Sequence, residues 1–123
     1  MSALDIGQRL VELCQQGQNI NAINELYADG IVSIEATDPP DGSPREMSGI
    51  EAVRGKSEWW EANHEIHSAS VEGPFPNGDD RFCVLFDFDV TNKPMDMRMQ
   101  MKEVGLYTVD GGKIVREEFF YTM

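Results

Sequence analysis

The stretch Tyr107–Tyr121, Y-T-V-D-G-G-K-I-V-R-E-E-F-F-Y, decides the fold. Asp110-Gly111-Gly112 supplies residues that accept positive φ, and apolar and polar positions alternate on both sides, so the spacing predicts a long β-hairpin turning at the glycines. Upstream the alternation continues. Met97, Met99, Met101, Glu103, Gly105, Tyr107 and Val109 fall on one face of a strand, and Arg98, Gln100 and Lys102 on the other. The methionine-rich face is the one to bury, and it carries an acid and a phenol with it. A carboxylate among apolar side chains must be paired, neutralised or set in a cavity, so Glu103 beside Tyr107 predicts a pocket.

Working outward, Ile66–Gly73 and Phe82–Val90 read as strands, with turns at Asn77-Gly78 and Asn92–Pro94. Together with the hairpin they form an antiparallel meander, whose long Met97 strand must bend, most easily at Gly105. Residues 3–16 have helical spacing and stop at Gly17. A second helix starts near Asn19 or Asn21 and places Ile20, Ile23, Leu26 and Tyr27 in a stripe before Asp29-Gly30. Ile31–Ala36 reads as a strand, and the proline-rich run Thr37–Glu46 as a loop at the pocket mouth. Ser48 is placed to cap a third helix bearing Ile50, Val53, Ser57, Trp60 and His64 on one side, with Trp59 on a neighbouring face. The expected class is α+β: three N-terminal helices packed in a strongly curved antiparallel sheet, a cone-shaped barrel with an internal pocket, in a single domain over residues 1–123.

Composition narrows the function. Twenty-two acids against ten bases give a formal charge of −12, which repels phosphate backbones and anionic membranes, so nucleic acid and membrane are excluded as partners. Cys14 and Cys83 have no bridging or zinc spacing and are expected as reduced packing residues. No basic and apolar leader and no membrane-length apolar run is present, from which a cytoplasmic protein is expected. Glu61-x-x-His64 occurs once, whereas di-iron bundles need that motif twice, so no metal is assigned. Phosphate-binding glycine loops and nucleophile elbows are absent.

The order of elements, with L-Y-A-D-G at Leu26–Gly30, S-G-I-E-A-V-R-G at Ser48–Gly55 and the terminal V-D-G-G-K-I-V-R-E-E-F-F, resembles the SnoaL-like branch of the nuclear transport factor 2-like superfamily, which includes polyketide cyclases and relatives of ketosteroid isomerase. The resemblance implies a cofactor-independent pocket protein acting on a small apolar or aromatic carbonyl compound by proton transfer, as an isomerase, cyclase or dehydratase. It sets Glu35 where the isomerase has its base and Leu10 where that enzyme has an oxyanion-binding tyrosine. The acid that the cyclases carry before the hairpin falls at Gly105, with Glu103 two residues away on the same face. Glu103 and Glu35 are therefore the candidate catalytic residues, and Tyr107, Trp60, His64, Met99 and Met101 the candidate ligand-binding ones. The resemblance also implies a homodimer through the outer sheet face, where Val104 and Leu106 point. The alternative is a non-enzymatic ligand-binding or protein-interaction module that works as that dimer.

Overall fold

A computed structural model describes residues 2–39 and 42–121. Pro40 and Asp41, part of the expected mouth loop, lie outside the described residues. Helix α1 (Ala3–Gln15) begins in a capping box, with Ser2 Oγ accepting from the Asp5 amide and the Asp5 carboxylate accepting from the Ser2 amide. Its apolar stripe of Ile6, Leu10 and Leu13 is buried against the sheet. Helix α2 (Asn19–Leu26) lies against α1, tied at the surface by Arg9 to Glu25 at 2.7 Å. Strands β1 (Tyr27–Ile34) and β2 (Glu46–Ser48), helix α3 (Ile50–Asn63) and strands β3 (His64–Asn77), β4 (Arg81–Asn92), β5 (Met97–Asp110) and β6 (Lys113–Phe120) follow.

The α+β class and the curved sheet holding three helices are as the sequence reads. The meander β3–β4–β5–β6 is antiparallel at every step. The sheet as a whole is mixed and open, in the order β2-β1-β6-β5-β4-β3, because β1 runs parallel to β6. Alternation along a strand shows which face is buried and not which strand lies beside it, so this long-range pairing left no local trace.

Strand β1 starts and ends earlier than the expected Ile31–Ala36, β2 was not expected, and three further differences bear on the site. Tyr27, expected on the α2 stripe, is the first residue of β1, and the chain passes from helix to strand there with no loop. Gly49 at φ +97, not Ser48, is the N-cap of α3. His64, expected on the α3 stripe, takes extended dihedrals and opens β3. The hairpin turn falls at Gly111 and Gly112, both at positive φ, as I′-type turns require.

Just beyond that turn the register slips: Val109 pairs with Ile114, but Thr108 pairs with Arg116. Val115 is the extra residue, and such a bulge inverts the facing of everything after it. Without it, Arg116 and Glu118 would point inward; with it, Glu117 is buried and Arg116 is exposed. A row of partners then crosses the inner face from Ser33 on β1 to Glu117, Tyr107 and Phe82. Phe82 and Tyr107 stack with ring centroids 5.2 Å apart, anchoring the middle of the sheet.

Candidate functional site

Between α3, the inner sheet face and the chain after β1 lies a cavity of about 800 Å³. That is the size of a site for a small organic molecule. Its wall is aromatic: Trp60 and Phe88 have centroids 5.8 Å apart, as do Phe86 and Phe88. Leu10 and Ile23 close the helical side.

The carboxylates of Glu35, Glu61, Glu103 and Glu117, the ammonium of Lys56 and the guanidinium of Arg45 line this apolar space. Lys56 reaches in from α3, where it lies three residues after Val53 and four before Trp60, and so on the face they share. Its Nζ donates to Ser33 Oγ at 2.6 Å and to Glu35 Oε1 at 2.8 Å, and lies 5.6 Å from the centroid of the Phe119 ring. The second Glu35 oxygen accepts from the Tyr121 hydroxyl at 2.9 Å. Ser33 in turn donates to Glu117 Oε1 at 2.8 Å, and the Tyr27 hydroxyl donates to Glu117 Oε2. An unbroken hydrogen-bonded chain thus runs Tyr121–Glu35–Lys56–Ser33–Glu117–Tyr27.

Glu103 stands apart from that chain. No hydrogen bond or ion pair from another described residue reaches its carboxyl group, although it lines the cavity. Burial, reinforced by the charges of Glu35 and Glu117 and opposed by Lys56, pushes its pKa up to about 7. Glu117 is also raised, by burial first, with the Tyr27 hydrogen bond, Lys56 and Ser33 acting against it. The Tyr27 and Tyr107 hydroxyls, fully buried beside Glu117, are pushed well above the usual phenol range. Burial drives the Cys14 thiol up to about 12, which leaves it unreactive at neutral pH.

Of the residues singled out from sequence, Glu103, Glu35, Tyr107, Trp60 and Met101 meet around this cavity. Met99 and His64 do not line it. His64 packs behind the wall, stacked on Trp60 at 4.3 Å, with Nδ1 2.8 Å from the Trp60 carbonyl and Nε2 3.4 Å from Asn92 Nδ2. Trp59 lines the mouth together with Trp60, although 56% of its surface is exposed. Met97, expected on the buried face, lies at the solvent end of β5, which overruns the core. Lys56, Ser33, Glu117, Tyr27 and Tyr121 were missed. Only Lys56 had a local signal, its helical spacing from Val53 and Trp60. Among the described residues no cluster of histidine, cysteine, aspartate and glutamate could hold a metal ion, and no helix is long and apolar enough to cross a membrane.

A curved sheet folded around three helices, with an acid-bearing apolar cavity between them, is the fold this chain shares with solved nuclear transport factor 2-like proteins. The chain belongs to the SnoaL-like domain family, whose profile matches residues 1–121. Among solved structures it is similar to a proposed SnoaL-like polyketide cyclase of Mesorhizobium loti, whose name also carries the designation carbohydrate phosphatase. The two share 47% identity over 98% of this chain and 100% of that one, with a TM-score of 0.90. A proposed isomerase of Bacillus subtilis shares the fold at 14% identity, over 99% of this chain and 90% of that one, with a TM-score of 0.78. So does a protein of ketosteroid isomerase-like fold from Catenulispora acidiphila, solved in complex with trimethylamine, at 19% identity, 90% and 81% coverage and a TM-score of 0.68. Among curated proteins none matches.

Proposed function

We propose that the protein catalyses proton transfer at a carbon next to the carbonyl of a small apolar or aromatic compound, with Glu103 as the base. The observation that carries this reading is a carboxyl group that no hydrogen bond or ion pair from another described residue reaches, set in an apolar cavity that pushes its pKa up to about 7. A group tuned to that value is part ionised at neutral pH and can both take and return a proton. Glu103 removes the proton, the C–H pair becomes the C=C bond of an enolate, and the carbonyl π pair moves onto oxygen. Return of the proton to a different carbon completes an isomerisation, and attack of the enolate carbon on a second carbonyl of the same molecule completes a cyclisation. Glu35 supports from the side, its two oxygens being held by Lys56 and Tyr121. The sequence offers Tyr107 or His64 to the oxygen, and of the two only Tyr107 lines the cavity. Such chemistry needs no cofactor, and two free cysteines fit a reducing, cytoplasmic setting. The test is deuterium uptake at the α-carbon of 1-tetralone and related aryl ketones in D2O, followed by proton NMR. Wild type is expected to speed exchange and Glu103→Gln to lack that activity; equal rates in both would overturn the proposal.

A second reading, a homodimeric binding module, is favoured by one feature of the outer face. Leu85, Val104 and Phe120 are direct neighbours across β4, β5 and β6, forming an apolar row with Leu85 37% and Phe120 48% exposed. A second copy of the chain laid across this row would cover it. The dimer is compatible with either activity, since the cavity opens on the other side of the sheet.

A further inference from the structure

An ammonium group has three N–H donors. Ser33 and Glu35 take two of those on Lys56, and the face of Phe119 lies 5.6 Å from its Nζ. Lys56 also borders the cavity, across which its charge acts on Glu103. We propose that the third donor of Lys56 binds the reacting oxygen of the ligand, and that the ligand is accordingly an uncharged ketone whose oxygen becomes anionic only during the reaction. This inference rests on Glu103 acting as the base, and gives that reaction its electrophile.

Charge balance supports the assignment. The four carboxylates of the cavity, Glu35, Glu61, Glu103 and Glu117, outnumber its two cations, Lys56 and Arg45, so a ligand arriving as a carboxylate or phosphate is disfavoured there. A neutral ketone meets no such barrier. When its proton passes to Glu103, one negative charge leaves the carboxylate as another appears on the ligand oxygen, and the net charge in the cavity is unchanged. Tyr107 is the weaker candidate for that oxygen. Its hydroxyl lies with Tyr27 beside Glu117, and a phenol whose pKa is raised yields less to a developing charge than a fixed ammonium does.

The probe is 1-tetralone labelled with 13C at the carbonyl. Bound to wild type, its carbonyl resonance should move downfield of the position in water, the mark of a charge-assisted hydrogen bond. In Lys56→Met the resonance should fall back towards its value in apolar solvent, with binding weakened roughly ten- to hundredfold. Lys56→Arg should restore part of the shift, and Tyr107→Phe should leave it intact. If Lys56→Met does not fold, the wild-type shift and its survival in Tyr107→Phe still decide the matter. Absence of binding at millimolar ketone, a wild-type resonance at the apolar-solvent position, or loss of the shift in Tyr107→Phe would each overturn the proposal. Glu103→Gln separates the two readings: a shift that persists without isotope exchange supports Lys56 as the oxygen-binding group. Exchange in wild type with no carbonyl shift keeps Glu103 as base and removes Lys56.

Discussion

The ring of Tyr107 lies over Gly105: a Cβ added at Gly105 would stand 2.8 Å from Tyr107 Cε2 and 3.1 Å from its hydroxyl oxygen. Two residues apart on the inner face of β5, they work as one unit, the missing side chain giving the phenol its place. Gly105→Ala should therefore displace a ring packed between Phe82 and Phe119, destabilising the protein by about 1–3 kcal/mol. Urea denaturation measures the loss, and a variant within a few tenths of a kcal/mol of wild type would show that the ring can settle elsewhere.

Glu103 makes the protein less stable as pH rises. Its pKa is about 7 folded against an ordinary value of 4.5, so between these the native state holds a proton that the unfolded chain has released. Stability from this group is complete below about 4.5 and is lost as pH climbs through 7, by roughly 3 kcal/mol. Glu103→Gln should remove that slope and be the more stable protein at pH 8. Any catalysed exchange should rise over the same pH range, since the base acts ionised. Denaturation of both proteins at pH 5 and 8 checks the first point, and parallel pH dependences would refute it.

Ser33 donates to Glu117 and accepts from Lys56, joining the two halves of the polar chain. Ser33→Ala leaves a buried carboxyl short of a donor and should cost roughly 1–3 kcal/mol. Carbonyl binding by Lys56 should persist, because Glu35 still holds the ammonium in place. Melting temperature reports the first effect and ketone titration the second.

Val104→Asp puts a charge in the centre of the apolar row on the outer face. Sedimentation at high micromolar concentration should give a dimer for wild type and a monomer for this variant, with unchanged far-ultraviolet circular dichroism. A monomeric wild type would leave the row without a second copy to cover it.

Much of this was legible locally. Alternation in β5 placed Glu103 and Tyr107 on one inner face, and the glycine pair placed the turn, because both depend on residues near in sequence. Lys56 was legible in principle, but charge on a helix is normally solvated, and its inward partners, Ser33 on β1 and Glu35 just after it, are distant in sequence. Glu117 was not legible at all. Whether Glu117 or Glu118 faces the core depends on the bulge at Val115, and nothing in K-I-V-R-E-E marks that slip. Glu35 and Glu103 look alike as sequence positions, and they part only because Lys56 and Tyr121 hold one and leave the other free.

The parallel pairing of β1 with β6 has a consequence for synthesis on the ribosome. Before Lys113–Phe120 emerges, β1 has only the three residues of β2 to pair with, and its other edge is bare. Ser33 and Lys56 are then made long before the Glu117 they converge on, and the last strand must be delivered between two strands already waiting. The growing chain accordingly carries an open slot that a strand from any neighbouring nascent copy could enter, and the arrival of β6 between β1 and β5 is what closes it.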